Sequence, residues 1–587
     1  MIVQNVADLL CSEGLRPPDL EFLRPNERQY TALLMQPSGP IFANSQRIGS
    51  ADEALAAAKG RKFLELARAR NAHLAVTPEY FLPWSTLRDA ITGGIVPAAE
   101  ALWVLGSESI TQDGLEQFKR DVANHCLVLH EPWEDLTPDR SLLDSAVLLF
   151  QATRPDQSTQ LVALVQFKTY PSRDDTFFEE TLLRTGKQIY KFSGKTGHLS
   201  AAAIICSDAF AMEPPVLGEL NYQSTIIHIQ LNPSPTHNVY RKYRTTTFET
   251  DAKATNCHIV CLNWAHLVEE VSDQGDPSRP WNNIAASTWY CPKDECSSKD
   301  GTVTANHRLG LYYTYMKERR HALRFHYEEA AFELLVPKLL RLAPAIMANH
   351  NGPSMVDRRV WDAATQDWVA GQVPAVDGSA AYVAAHPEAN VALAHVLAAN
   401  DPLAIERVLA LSTGDISGRE TWHSLESIDS CTIEQDEVVR RMSVVQDGLG
   451  DDFRYRRISA IAEIHHEITN QTQWPPQVAG LDEHSTVQWS LAERNFNVRT
   501  STGTPTLVVY LDDTHPPDKV KTKADMLYEL LRKAGGQNHQ RLCIIRRQHG
   551  QLQFVQIPAL TRFDEANLDQ TEITAVHPLD TQEPGNG

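Results

Sequence analysis

The segment Ala201-Ala-Ala-Ile-Ile-Cys206-Ser-Asp208 joins an uninterrupted apolar run to a pair of polar residues. A short apolar run of this kind is typical of a buried strand, and the polar residues after it predict a turn. Cys206 is therefore predicted to lie where a strand meets a turn. Only the thiolate of a cysteine attacks, so such a nucleophile requires a base or a positive neighbour. Taken alone, a cysteine in this place more often packs in a core than reacts.

Two charged residues end other apolar runs earlier in the chain. Glu79 ends Ala-Val-Thr-Pro-Glu, and Lys168 ends Leu-Val-Ala-Leu-Val-Gln-Phe-Lys. A carboxylate can accept the thiol proton, and an ammonium can favour the thiolate and then stabilise the oxyanion of a tetrahedral intermediate. Either charge alone is more simply explained by a strand that reaches water. Together with Cys206, the two residues form a set suited to acyl transfer.

Short apolar runs recur along the first half of the chain, with helical or loop segments between several of them. A helix is predicted for 51–70, which is rich in Ala and Leu with charges at helical spacing. This alternation predicts an α/β fold with a sheet covered on its faces. The predicted strands are 31–36, 73–77, 101–105, 126–129, 145–150, 161–167, 201–206, 225–231 and 258–262.

These motifs, in this order, resemble the nitrilase, or carbon–nitrogen hydrolase, superfamily over residues 31–334. The resemblance rests on the strand ending in Gln36, Val-Thr-Pro-Glu79-Tyr-Phe, Trp-Val-Leu-Gly106-Ser, Lys168, Ile-Ile-Cys206-Ser-Asp208, Asn232-Pro-Ser and the strand ending in Asn263. It implies a four-layer αββα sandwich. It also implies that Glu79 is the general base, that Lys168 stabilises the tetrahedral intermediate, and that Cys206 attacks an amide or nitrile carbon.

Many members of this superfamily have a second glutamate, a few residues before a glycine, between the lysine and the cysteine. Phe178-Glu179-Glu180-Thr-Leu-Leu-Arg-Thr-Gly186 matches that pattern, and the offset from Gly186 favours Glu179 over Glu180. By the resemblance, this glutamate holds the lysine and the substrate in place. Two acids near one lysine would keep the lysine charged. The simpler alternative is that both glutamates lie on a solvated surface.

Some positions depart from the superfamily pattern. Asp251-Ala252 and Thr255 stand where an arginine–alanine pair and a glutamate are usual, and Ala285-Ala286-Ser287 replaces a glycine pair before a serine. These departures affect the packing of the domain and its contact with a second subunit more than the chemistry. They leave open whether the chain forms the usual homo-oligomer.

The chain divides into five predicted parts. These are an N-terminal extension at 1–30, a nitrilase-like domain at 31–335, a mainly helical region at 336–480, a small α/β module at 481–562 and a disordered tail at 563–587. Helices are predicted for 327–347, 380–411, 434–446, 453–470 and 522–533, and strands for 505–511, 541–546 and 551–557.

The composition narrows the function classes. In the 587-residue chain, 54 Lys+Arg against 74 Asp+Glu give a formal charge of −20, which disfavours binding to nucleic acid or to an anionic membrane. No window is apolar enough for a membrane span, and the first residues lack the pattern of a secretory signal. The nine cysteines, several of them in apolar runs, indicate a reducing compartment rather than a disulfide framework. We therefore expect a cytoplasmic protein.

The remaining motifs predict neither a cofactor nor a metal. There is no Gly-rich phosphate loop, and Cys291, Cys296 and His307 do not have the spacing of a zinc ribbon. The leading hypothesis is a thiol hydrolase of the amidase type that cleaves a small amide or nitrile-like substrate through an acyl-enzyme. One alternative is a nitrilase-like sensor or scaffold in a multi-component defence or signalling assembly, whose C-terminal modules bind a protein partner. Another is transfer of the acyl group or of ammonia to a second substrate.

Overall fold

The computed structural model describes most of the chain, with gaps. The described residues are 1–25, 29–138, 140–172, 178–197, 199–220, 223–232, 257–265, 268–272, 279–280, 287–292, 305–306, 309–316, 320–338, 352–371, 383–399, 402–414, 448–471, 473–493, 495–535, 537–548 and 551–555. Several predictions lie outside the described residues: 251–256, 285–286, Cys296, His307, the helix at 434–446 and the tail at 563–587.

Strands, numbered in chain order, are β1 Ile2–Asn5, β2 Tyr30–Gln36, β3 Pro40–Ala43, β4 Ile48–Ser50, β5 Leu74–Leu82, β6 Leu102–Ile110, β7 Leu127–His130, β8 Leu143–Thr153, β9 Thr159–Phe167, β10 Gln188–Ser193, β11 Leu199–Ile205, β12 Gln223–Ile229, β13 His258–Leu262, β14 Glu269–Ser272, β15 Arg279–Pro280, β16 Thr288–Pro292, β17 Leu311–Met316, β18 Arg320–Phe325, β19 Ala330–Val336, β20 Ser354–Asp362, β21 Asp367–Ala370, β22 Thr486–Val487, β23 Val498–Arg499, β24 Pro505–Leu511, β25 Leu542–Gln548 and β26 Gln551–Phe554. Helices are α1 Val6–Ser12, α2 Glu53–Ala69, α3 Trp84–Thr92, α4 Gln112–Val122, α5 Glu179–Leu182, α6 Pro214–Glu219, α7 Pro387–Ala392, α8 Ala394–Ala398, α9 Pro402–Ser412, α10 Gly448–Asn470 and α11 Pro517–Lys533.

Two large sheets dominate the first of two compact units, which comprises Met1–Ser379 and Ser417–Arg454. The nine-stranded sheet has the order β21-β20-β19-β2-β5-β6-β8-β9-β7, and the eight-stranded sheet has the order β1-β10-β11-β12-β13-β16-β18-β17. The centres of both sheets are parallel, at β2-β5-β6 and at β11-β12-β13. Every residue of β5 is buried, as expected for a parallel strand covered on both faces.

Hydrophobic cores fill the spaces between adjacent layers of this unit. Leu34 and Val76 of the nine-stranded sheet share one core with Ala203 and Ile227 of the eight-stranded sheet, so the two sheets pack face to face. Helices α2, α3 and α4 cover the other face of the nine-stranded sheet, and α6 packs on the outer face of the eight-stranded sheet. Each fully buried Val, Leu or Phe stabilises such a core by about 1.5–3 kcal/mol. The predicted four-layer αββα sandwich is confirmed.

All nine strands predicted in the first half are present, and the helix predicted for 51–70 is α2. The helix predicted for 327–347 is wrong, because Ala330–Val336 forms β19, which pairs with β2 on one side and β20 on the other. Its residues, Ala-Ala-Phe-Glu-Leu-Leu-Val, include good helix formers, but two ladders of backbone hydrogen bonds and burial outweigh that weak local preference.

The first unit also extends beyond its predicted ends. In the segment predicted to be an extension, β1 pairs with β10 and α1 contributes Val6 and Leu10 to the core between the sheets. The hairpin of β20 and β21 continues the nine-stranded sheet to Ala370, so the predicted boundary at 335 lies inside this unit.

The second unit comprises Ala380–Ile416 and Tyr455–Gly587. Its sheet has the order β22-β23-β24-β25-β26, and helices α7 to α10 share one hydrophobic core with that sheet. The predicted boundary at 480 therefore lies inside a single core. The strands predicted for 505–511, 541–546 and 551–557 and the helix predicted for 522–533 are confirmed as β24, β25, β26 and α11.

None of the helices in the described part of the chain combines the length and the apolar composition that a bilayer crossing requires.

Candidate active site

Glu79 lies in a bulge of β5. The β5–β6 ladder runs in register up to Thr77 and resumes at Leu82, so the residues between them leave the ladder. Tyr80 has a φ of 58°, in the left-handed region. The bulged backbone presses against β6 at Gly106, where a Cβ would lie 2.1 Å from Pro78 O. The bulge directs the Glu79 side chain into the interior, where it is 1% exposed.

Lys168 follows β9 and lies among three carboxylates. Its Nζ donates to Glu79 Oε1 at 2.7 Å and to Glu179 Oε1 at 2.8 Å, and it lies 3.3 Å from Asp144 Oδ2. Burial alone would lower the pKa of Lys168, but Glu179, Glu79 and Asp144 raise that pKa well above its usual range. A thiolate at Cys206 would raise it further. The lysine is therefore a fixed, buried cation.

Glu179 is held from three sides at the start of α5. Its Oε1 accepts hydrogen bonds from Lys168 and, at 2.8 Å, from the Tyr80 hydroxyl, and its Oε2 accepts from Ser172 N at 2.6 Å. Glu180 instead points to solvent, and its carbonyl accepts from Arg140. Of the two glutamates that the sequence offers, the structure brings Glu179 to the lysine.

Cys206 lies at the sharp turn after β11. Its φ of 40° is in the left-handed region, which costs a residue other than glycine about 1–3 kcal/mol. A buried histidine stabilises this turn, because His228 Nε2 lies 2.8 Å from Cys206 O, at hydrogen-bonding distance. Cys206 itself is 5% exposed. A strained strand-to-turn corner of this type projects a nucleophile away from the sheet edge.

Leu231 brings the acid and the thiol to one place. Its backbone N donates to Glu79 Oε2 at 2.6 Å, and its carbonyl O lies 4.0 Å from Cys206 Sγ. The carboxylate and the thiol thus approach the same residue from its two sides. Burial raises the pKa of Glu79 above its usual range, although the nearby Lys168 acts in the opposite direction.

Asp208 ties the segment after Lys168 to the cysteine turn. Its Oδ1 accepts from Thr169 N at 2.7 Å, Thr169 Oγ1 at 2.8 Å and Tyr170 N at 2.9 Å, and its Oδ2 accepts from Ile205 N at 3.0 Å. Burial raises the pKa of Asp208 from 3.8 to about 6, although these hydrogen bonds act in the opposite direction. One carboxylate therefore fixes the lysine strand end and the nucleophile relative to each other.

The carboxylates of Glu79, Asp144 and Glu179 are close enough to share a metal ion, since their oxygens lie within 4.8 Å of one another. However, Lys168 Nζ already lies within 3.3 Å of an oxygen of each of them. The ammonium occupies the space where a cation would bind. This donor set is thus a lysine site.

Comparison with known proteins gives structural neighbours only. No family model matches the chain, and no curated protein matches it. The chain is similar to an amidase from Nesterenkonia sp. at 12% identity, with 55% of this chain and 95% of that chain covered and a TM-score of 0.29. It is also similar to a carbon–nitrogen hydrolase from Helicobacter pylori G27, at 12% identity, with 41% and 75% covered and a TM-score of 0.24.

A further neighbour is a glutamine-dependent NAD+ synthetase from Acinetobacter baumannii, at 11% identity, with 61% of this chain and 50% of that chain covered and a TM-score of 0.27. The neighbours thus include nitrilase-superfamily amidases and carbon–nitrogen hydrolases, and they cover about half of the chain. Identities and TM-scores this low carry no functional argument.

The structure brings together the four residues predicted from the sequence, Glu79, Lys168, Glu179 and Cys206. The prediction missed Asp144. It also missed Tyr80, although this residue directly follows Glu79, because an aromatic residue at a strand end is usually explained by packing.

Proposed function

We propose that the first unit is a thiol-dependent carbon–nitrogen hydrolase of the amidase type, acting through Glu79, Lys168 and Cys206. One observation carries the proposal: a buried carboxylate receives the lysine on one oxygen and Leu231 N on the other, and the thiol lies against the same Leu231. A base, a cation and a nucleophile in contact are the components that acyl transfer requires.

The reaction would proceed in two halves. Glu79 takes the proton of the Cys206 thiol, the thiolate attacks the amide carbon, and Lys168 stabilises the oxyanion that forms. Glu79 then gives its proton to the leaving nitrogen, so that the C–N bond breaks, ammonia or an amine departs and a thioester remains. In the second half, Glu79 takes a proton from water, the hydroxide attacks the thioester, the C–S bond breaks to release the carboxylic acid, and Glu79 returns its proton to the Cys206 thiolate.

A small substrate fits the geometry best. Cys206 is 5% exposed and Glu79 is 1% exposed, so only a compact acyl group would reach the sulfur. Glu179 would hold the lysine rather than react, because one of its oxygens accepts from Lys168 and Tyr80 and the other from Ser172 N. We propose a cytoplasmic location on the ground that a thiolate nucleophile must stay reduced.

The test is Cys206→Ala in the full chain. Incubation with a panel of small aliphatic amides is expected to release ammonia with the wild type and to leave an acyl mass on the protein when turnover is slow. Cys206→Ala should show neither. The matched control is Cys126→Ala, because burial raises the pKa of Cys126 to about 12 and makes it a poor nucleophile. An acyl mass that persists on the Cys206→Ala protein would remove Cys206 from this role.

The sensor or scaffold alternative makes the opposite prediction. Cys206→Ser keeps the shape of the site but replaces the thiol by a far weaker nucleophile. If a binding function is measured in the full chain, it should survive this change, whereas amide hydrolysis should not.

A further inference from the structure

Asp144 is a buried acid beside the lysine of the site. It lies at the start of β8, and its carbonyl accepts from Lys168 N at 3.0 Å. Its side chain is 0% exposed and reaches the same lysine, with Oδ2 3.3 Å from Nζ. Neither carboxyl oxygen of Asp144 accepts a hydrogen bond from the described residues. Its ion pair with Lys168 is longer than the two ion pairs that the same lysine makes with Glu79 and Glu179.

The charges around Asp144 favour a bound proton on its carboxyl group. Glu79, Asp144 and Glu179 can carry three negative charges, and Lys168 supplies one positive charge. Lys168 makes its two short hydrogen bonds to Glu79 and Glu179. A negative charge on Asp144 is therefore neutralised less than a charge on either glutamate. Burying an uncompensated carboxylate beside two others is unfavourable, and a carboxyl group in that position binds a proton instead.

We propose that Asp144 and Glu79 share one proton, and that Asp144, as a protonated acid, is a positioning residue that donates a hydrogen bond to the general base. Two carboxylates can only accept, so a hydrogen bond between them exists only when one of them is protonated. The protonation itself is independent of the proposed function, whereas its catalytic consequence rests on it.

The electrostatics agree with this geometry. Burial and the adjacent Glu79 raise the pKa of Asp144 well above its usual range, whereas burial raises the pKa of Glu79 and a hydrogen bond from Asp144 opposes that shift. The proton is therefore lost only as the pH rises well above the ordinary carboxyl range. The titratable groups that face Asp144 are Glu79 and Tyr80 from β5, Glu179 from α5 and Lys168 from the end of β9, with Cys206 across the lysine.

The shared proton has a consequence for catalysis. A protonated Asp144 donates to Glu79, which keeps that carboxylate ionised and correctly oriented to take the thiol proton. Loss of the proton at alkaline pH puts two repelling carboxylates side by side. The wild type should therefore lose activity at alkaline pH through this pair.

Infrared difference spectroscopy tests the protonation without a substrate. The wild type minus Asp144→Asn spectrum, recorded at about pH 8, should contain the carbonyl band of a protonated carboxylic acid. Asp208, with a pKa of about 6, is ionised there and does not contribute. Asp113→Asn, an exposed change on α4, is the matched control and should remove only a carboxylate band. If no acid band is lost with Asp144→Asn, the proposal is wrong.

Kinetics test the positioning role. Asparagine keeps an N–H donor toward Glu79, so Asp144→Asn should stay within about 3-fold of wild-type kcat/KM and should lose the alkaline limb. Asp144→Leu has no donor and should lose about 10- to 100-fold, the cost of one hydrogen bond to a charged group. Equal activity of the two variants would overturn the role. If Asp144→Leu does not fold, the alkaline limb of Asp144→Asn decides. If no amide is hydrolysed at all, the proposed function fails while the infrared result still stands.

Discussion

Gly106→Ala tests whether the position of Glu79 depends on one close contact between strands. A Cβ at Gly106 would lie 2.1 Å from Pro78 O, 2.5 Å from Pro78 C and 2.8 Å from Glu79 N. These are backbone atoms, so no side chain can rotate away to relieve the overlap. The β5 bulge has to move by roughly 1 Å, and Glu79 moves with it.

The magnitude follows from the two effects of that shift. Overpacking of this kind costs about 1–3 kcal/mol of unfolding free energy, which corresponds to a fall in Tm of about 2–10 °C. A displacement of about 1 Å at a catalytic group can cost about 100-fold in rate. Because Glu79 also accepts from Leu231 N beside the thiol, the loss should lie in kcat rather than in KM.

The assay is amide hydrolysis together with thermal unfolding of the full chain. Gly218→Ala is the matched control, because a Cβ at Gly218 meets nothing within 4 Å and the residue lies in α6. That change should be neutral or stabilise by up to about 1 kcal/mol. Wild-type kcat and Tm in Gly106→Ala would refute the view that this contact fixes the base.

Three further predictions concern the charged groups. Glu179→Gln should lower kcat/KM by about 10-fold or more, because it weakens a charged hydrogen bond to Lys168, whereas the exposed Glu180→Gln should leave kcat/KM unchanged. Lys168→Met should lower kcat by about 100- to 1,000-fold and cost about 3–5 kcal/mol in chemical denaturation, because buried carboxylates lose their cation. The kcat/KM of the wild type should fall below about pH 6 as Asp208 is protonated, and Asp208→Asn should have low activity without this limb. Since the folded pKa of Asp208 is raised from 3.8 to about 6, the folded chain binds the extra proton in that window, and this group's contribution to stability falls as pH rises through it.

Glu79, Lys168 and Cys206 could be predicted from the sequence because each ends a recognisable apolar run, and Glu179 because of its offset from Gly186 in the superfamily pattern. Asp144 could not be predicted in this way, because an acid at the start of an apolar strand usually lies where the chain reaches solvent. The proximity of Asp144 to Lys168 follows instead from the pairing of β8 with β9. The register that pairs Thr153 with Thr159 also pairs Ser145 with Phe167, which brings Asp144 next to Lys168. Predicting the β8–β9 hairpin together with its register would therefore place Asp144 beside Lys168.

Other features depend on contacts that are distant in the sequence. The strand Ala330–Val336 is stabilised by β2, about 300 residues earlier in the chain, so its local helix preference is misleading. Likewise, Pro78 has no N–H for a strand ladder and so favours a bulge in this central strand, but the extent of the bulge is defined only by the β5–β6 ladder that it interrupts.

Backbone strain is concentrated at this site. In the described residues, six residues other than glycine have a positive φ, and three of them are Tyr80, Phe178 and Cys206. The first follows Glu79, the second precedes Glu179 and the third is the proposed nucleophile. Each costs about 1–3 kcal/mol, so the surrounding contacts must offset several kcal/mol to keep all three. The hydrogen bonds among Tyr80, Glu179 and Lys168 connect the first two of these positions, and Asp208 holds the turn of the third through Ile205 N. The charged network therefore holds the strained backbone in place as well as tuning the chemistry, and a substitution that weakens it should reduce stability and activity together.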